Sequence, residues 1–152
     1  MTRILLAGLL AVALLAVAAK PVAARSPEEV QALVERAAEY IRQHGRQQAF
    51  ADFTRPDGGF VDGGLYVFCL DATGITLAHG GNPKLVGKNF TAVQDADGKL
   101  PTGELLRVAQ TMGQGWVEFR WPNPARGRVE RKVIFGIQSN LLRVFDDLFV
   151  LR

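Results

Sequence analysis

Cysteine is nearly absent from this chain. The single Cys69 cannot form an internal disulfide, which excludes a small stapled scaffold. Histidine is almost as scarce: His44 and His79 lie far apart, and no His/Cys/Asp/Glu group has metal-site spacing, so no metal is expected. The Asp95-Ala96-Asp97-Gly98 turn lacks the later acidic ligands of a calcium loop. Also missing are a Gly-x-Ser-x-Gly elbow, a Gly-x-Gly-x-x-Gly turn after a strand, and any Cys/His or paired-acid arrangement. These gaps argue for a protein that is not an enzyme and needs no cofactor. Glu118 or His79 acting as a lone catalytic base is the weakest alternative. Repeats and low-complexity tracts are lacking too.

What is present is ordinary in proportion: 152 residues, 48% hydrophobic and 22% charged, fitting one globular domain. The net charge of +3 is mostly a matter of the N-terminus. Arg3 precedes an unbroken apolar run of 16 residues, Ile4 to Ala19, and Val22-Ala23-Ala24 follows as a small-residue cleavage site. Residues 1–24 are therefore expected to be a signal peptide cut near Ala24, leaving 25–152 as one domain in the periplasm or secreted. A retained N-terminal membrane anchor is the alternative, although a spanning helix needs about 20 apolar residues. Loss of residues 1–24 removes Arg3 and Lys20 and no acid, so 16 basic residues face 15 acidic ones. No clustered basic surface for nucleic acid remains.

Ser26-Pro27-Glu28-Glu29 opens a helix with an N-cap, a proline at the first position and a capping box. Val30, Leu33, Val34, Ala37, Ile41 and then His44 or Gln48 continue one stripe, predicting a helix to about Phe50. Leu65 to Leu70 reads as a buried strand, Asp71-Ala72-Thr73-Gly74 as a tight turn, and Ile75 to His79 as the returning strand. Gly80 to Gln94 is a loop or short helical crossover. A second helix spans about Thr102 to Thr111, followed by a strand from Gly115 to Trp121, a turn at 122–127, and a partner strand from Val129 to Ile137. A long helix followed by a meander with an inserted helix is an α+β layer architecture.

From Phe60 to Lys132 the sequence resembles the single Cache domains, the PAS-like extracellular sensor modules of bacteria. The residues that carry this are Phe60 to Phe68, Asp71-Ala72-Thr73-Gly74, Leu77-Ala78-His79, Asn82 to Asn89, Asp95 to Lys99 and Gly115 to Pro124. The resemblance implies a long helix on a five- or six-stranded antiparallel sheet, with a pocket that holds a small molecule, often a small organic acid. It also implies a membrane sensor as partner and allows a homodimer through the N-terminal helix. After Lys132 the pattern departs from the family: Val133 to Ile137 stands where an aromatic strand is expected, and Asp146 to Val150 where a last strand would begin. The last strand is thus open to being incomplete, which leaves a structural or protein-interaction module with a degenerate pocket as the alternative function.

Within the resemblance, Tyr66 and Phe68 share a strand face. The Tyr66 hydroxyl can donate to a carboxylate beside a Phe68 wall, and His79 ends its strand at a glycine-rich loop. Trp116 and Trp121 fall on opposite faces of one strand; Trp116 is the expected ligand wall and Trp121 the expected turn residue. Lys132 is the expected counter-ion. The expected ligand contacts are therefore Tyr66, Phe68, His79, Trp116 and Lys132. Each also has a plain structural role, in the core, a loop or a solvated basic edge. Asp71, Asp95 and Asp97 are read as turn formers, and Cys69 as a buried thiol.

Overall fold

Ser26 starts the first helix as its sequence requires. In the computed structural model, which describes residues 25–123, 127–139 and 146–151, the Glu29 N–H donates to Ser26 Oγ at 3.2 Å and the Ser26 N–H donates to the Glu29 carboxylate at 2.7 Å. The predicted signal peptide lies outside the described residues. Helix α1 (Pro27–Thr54) runs past the expected end at Phe50. Gly45, at φ 78° and ψ 164°, interrupts it, a conformation that costs glycine little and other residues much. The interruption resets the buried stripe. Val30, Leu33, Val34, Ala37, Ala38 and Ile41 are buried before it, and Ala49, Asp52 and Phe53 after it. His44 and Gln48, expected on that stripe, are exposed instead. The His44 ring stacks on Tyr40 at 3.9 Å.

Six antiparallel strands form one sheet: β1 (Val61–Asp62), β2 (Leu65–Asp71), β3 (Thr76–His79), β4 (Gln114–Asn123), β5 (Arg128–Ser139) and β6 (Asp146–Leu151). Their order is β1-β2-β6-β5-β4, with β3 also paired to β2. One expectation is met and one is corrected here. The partner strand expected from Val129 to Ile137 is part of β5, whose ladder with β4 runs without a break from Arg128 to Ile137. The last strand is present and central, with six register partners on β2 and six on β5.

Strand alternation divides β2 between two cores. Leu65, Val67 and Cys69 pack against α1, and Phe68 and Leu70 turn to the other face with Tyr66 beside them. Cys69 is 1% exposed, the buried thiol the sequence suggested. Helix α2 (Pro101–Met112) covers part of that second face through Leu105, Leu106, Val108 and Ala109, and ends at Gly113 in the left-handed region.

The β2–β3 turn is built around Asp71, whose carboxylate accepts from the Thr73 N–H at 2.8 Å, the Thr73 hydroxyl at 2.7 Å and the Ile75 N–H at 3.0 Å. Those bonds hold its pKa below the ordinary carboxylate value against the opposing effect of burial. Asn89 Nδ2 donates to the Thr73 carbonyl at 2.8 Å and fastens the following crossover to this turn. Gly74 lies in the left-handed region at φ 87°, and an added Cβ would stand 2.3 Å from Thr91 Cγ2. Gly74→Ala is therefore expected to cost more than about 1 kcal/mol, read as a lower urea midpoint at unchanged slope. An unchanged midpoint would show that Thr91 and the turn simply move aside.

Candidate functional site

Between the second sheet face and the segments that cross it lies a cavity of about 290 Å³. Phe68, Leu70, Phe119 and Ile134 wall it from the sheet. Leu85, Phe90 and Val93 close it from the crossover, which contains a 3₁₀ turn at Pro83–Leu85, and Pro101 and Thr102 come from the start of α2. Leu100 stands at the N-cap of α2 and makes no side-chain hydrogen bond. Among the described residues the polar lining consists of Tyr66, Thr76, His79, Asn82, Thr102, Trp121 and Lys132, and none of the lining residues is acidic.

The crossover is tied down at its far end by Asp95, which is 8% exposed. Its carboxylate accepts from the backbone N–H groups of Asp97 and Lys99, both at 2.9 Å, and of Arg120 at 3.0 Å. These bonds lower its pKa, that from Arg120 most. The turn role expected for Asp95 is what it performs, and it also fixes the 95–99 turn to β4 one residue before Trp121.

Tyr66, Phe68 and His79 form one wall. Phe68 faces His79 in the β2–β3 register, and the His79 ring lies 5.0 Å from Tyr66 and 5.5 Å from Phe68. The Asn82 backbone N–H donates to His79 Nδ1 at 2.9 Å. An acceptor Nδ1 places the neutral ring's proton on Nε2, so His79 carries an N–H donor on its other side. Burial lowers the His79 pKa to about 4, outweighing a backbone hydrogen bond that opposes it, so the ring is neutral at physiological pH. Burial likewise raises the Tyr66 phenol above its ordinary value, which keeps it a donor. The close fit shows at Gly81, where an added Cβ would fall 2.5 Å from the Tyr66 ring.

Lys132 stands opposite Phe119 in the β4–β5 register, and its ammonium lies 3.8 Å from Glu130 Oε2. Among the described residues it is the one cation lining the cavity. The neighbouring Arg128 and Arg131 are exposed, as a solvated basic edge would be.

The structure thus brings together Tyr66, Phe68, His79 and Lys132 and leaves out Trp116. Trp116 shares its face with Glu118 and Arg120, is 39% exposed, and packs at 4.8 Å on Phe135 of the α1 core. Trp121, expected in the turn, lies within β4 and lines the cavity, its ring edge-on to Phe119 at 6.1 Å. The signal was in the strand itself. Val117 and Phe119 mark the apolar face and Glu118 and Arg120 the polar one, and Trp121 has the parity of the first pair. Glu118, the candidate base, is exposed and paired with Arg131 on the face away from the cavity. Phe90, Val93 and Thr102 were missed because loop and helix-end residues have no periodicity to betray them, and Thr76 because it opens a strand of only four residues.

A single antiparallel sheet, backed by a long helix and hollowed on its other face, is the layout of a PAS-like sensor domain. The model of the family single Cache domain 2 matches residues 10–141, and the chain belongs to that family. Three solved structures share the fold. A methyl-accepting chemotaxis protein from Vibrio parahaemolyticus aligns with a TM-score of 0.64 at 19% identity, over 80% of this chain and 85% of that one. A Cache chemosensory domain described for its recognition of carboxylic acids aligns at 0.66 and 21%, over 82% and 90%. A periplasmic sensor domain of a chemotaxis protein aligns at 0.61 and 23%, over 82% and 88%. Methyl-accepting chemotaxis protein McpP of Pseudomonas putida is 35% identical over 48 residues, 32% of this chain but only 9% of that receptor. Among the described residues no helix is long and apolar enough to cross a membrane, and no acidic, histidine or cysteine cluster could hold a metal.

Proposed function

We propose that this chain is a periplasmic sensor domain that binds a small organic acid in the cavity and catalyses nothing. The observation that carries the reading is the lining itself: among the described residues it is mostly apolar, without an acidic residue, and furnished with one ammonium and two neutral donors on Tyr66 and His79. A small carboxylate entering it exchanges water for the Lys132 charge and directed hydrogen bonds, with its carbon chain against Phe68, Phe90 and Phe119. The carboxylic acid recognition named for one structural neighbour agrees with this. Export by cleavage near Ala24, signalling to a membrane sensor and pairing of two copies through α1 complete the proposal. The alternative of an interaction module with a degenerate pocket drew on an incomplete sheet, and β6 supplies the missing strand.

Thermal unfolding of residues 25–152 with acetate, lactate, pyruvate, propionate and several dicarboxylates tests the reading. An acid present at about 100 times its Kd stabilises by about 2.7 kcal/mol, a shift of several degrees. Lys132→Ala is expected to weaken the acid that binds by about tenfold or more, near 1.4 kcal/mol, in a calorimetric titration. A cooperative transition that no acid moves would instead favour the interaction module, and unchanged affinity in Lys132→Ala would take the lysine out of the site.

A further inference from the structure

Lys132 has a competitor for its charge. Glu130, two residues earlier on β5 and opposite Trp121, lies on the same face of the strand. Its Oε2 accepts from Asn123 Nδ2 at 2.7 Å and lies 3.8 Å from the Lys132 ammonium, while its Oε1 accepts from Arg128 Nε at 3.2 Å. The two contacts differ in kind. At 2.7 Å the bond to Asn123 is short and directed, whereas 3.8 Å is an ion pair without a hydrogen bond. Glu130 is therefore anchored at the β4–β5 hairpin, and Lys132 is only loosely attracted to it. The side chains of both residues are mostly covered, at 16% and 28% exposure, so the attraction is less screened than on an open surface.

We propose that Glu130 sets the affinity and the charge selectivity of the cavity by acting as a tethered stand-in for the ligand carboxylate. This rests on the sensor reading above. In the empty cavity Glu130 supplies the counter-ion that a half-buried ammonium needs. An entering carboxylate takes over that ammonium. Glu130 cannot follow, because Asn123 and Arg128 hold both of its oxygens, so the pair opens and its attraction is subtracted from the binding free energy. A neutral ligand can accept a hydrogen bond from the ammonium but brings no charge to replace that of Glu130, so it bears no such penalty. The cavity therefore binds carboxylates more weakly than its one cation alone would allow, which places its response at higher ligand concentrations. The coupling also gives ligand arrival an effect at the hairpin, some distance from the ligand itself.

The test is calorimetric titration of residues 25–152 with acetate, lactate, pyruvate and propionate, each beside its uncharged amide. Glu130→Gln keeps the shape and an oxygen acceptor for Asn123 and removes the charge. It is expected to tighten carboxylate binding about two- to five-fold, the range of a partly screened ion pair, and to leave the amides unchanged. In a Lys132→Met background the same substitution should give no gain. A gain that persists without the lysine would mean a general field effect and would overturn the exchange, as would equal tightening of the amides or no tightening at all. Asn123→Ala changes no charge but lets Glu130 close on the lysine, so it should weaken carboxylate binding. Unchanged or tighter binding there overturns the proposal even if Glu130→Gln fails to fold. If wild-type protein binds no acid, the sensor reading falls first and this inference with it. If it binds and Lys132→Met removes binding while Glu130→Gln changes nothing, only this inference falls.

Discussion

Replacing Phe53 with alanine is expected to cost about 3–5 kcal/mol, a large share of the roughly 5–15 kcal/mol that holds a domain of this size. Phe53 is 0% exposed and lies where three chain segments meet. Its ring is edge-on to Phe60 at 4.5 Å, with Tyr40 at 6.2 Å and Phe50 at 6.4 Å. Its carbonyl oxygen would stand 2.9 Å from a Cβ added at Gly80, so the backbone behind the ring is packed as tightly as the ring's own surroundings. Such a site cannot collapse to fill the void, which puts the substitution toward the costly end of the range. The same residue pins the part of α1 beyond Gly45, where helix continuity no longer supplies support. The measurement is thermal or urea unfolding, with a Tm lower by roughly 10–20 °C. A loss of only a few degrees would show that the aromatic cluster around Tyr40 and Phe60 closes over the gap.

The second large effect is a loss of stability on mild acidification, and its source is His79. An unfolded histidine takes up its proton near the ordinary value of 6.5, but the folded one resists down to about 4 because burial disfavours the imidazolium. Between these values the unfolded chain binds more protons, so stability falls as the pH drops from about 6.5 to about 4 and levels off below. The loss is up to about 3 kcal/mol, from the free-energy equivalent of the shift. Protonation also needs Nδ1 to become a donor, which breaks its bond from the Asn82 N–H and frees the start of the crossover. Asp52, Asp71 and Asp95 act in another window. Their pKa values are lowered in the fold, so the stability they contribute is present above their ordinary value of 3.8 and is lost as pH falls through the lower folded values. Urea unfolding at intervals from pH 7.5 to 4.5 should therefore show a decline in wild-type protein that His79→Gln largely removes. Parallel curves for the two proteins would mean that the imidazole charges without difficulty inside the cavity.

Much of this fold could be read from short stretches of sequence whose physics is local. Ser26 to Glu29 satisfies the free N–H groups of a helix within four residues, and Asp71 to Ile75 closes a turn by its own side-chain bonds, so both appear in the structure as expected. Alternation along Leu65 to Leu70 was enough to place Tyr66 and Phe68 on one face. Gly45 was harder: a single glycine inside a periodic run gives little warning that the helix will break, and the stripe was carried on to His44. The choice between Trp116 and Trp121 failed for a different reason. Trp121 stands directly before Pro122, which points to the turn, whereas strand parity depends on the polarity of Glu118 and Arg120. The position of β6 depends on two distant strands, and no local pattern in Asp146 to Leu151 reveals that it lies between them.

That central position of β6 governs how the chain reaches its native state. Phe68 and Phe149 are register partners although about 80 residues separate them. Before β6 is inserted, the β1–β2–β3 ribbon and the β4–β5 hairpin share no strand ladder and present two unfilled edges toward each other. Long-range pairings of this sort must overcome loop-closure entropy before they return any stability, so insertion of β6 is the step expected to limit the folding rate. The cavity is walled from both sides of that gap, by Phe68 and His79 on one and Phe119 and Lys132 on the other. Until the final strand arrives, each half presents a strand edge with which another chain can pair.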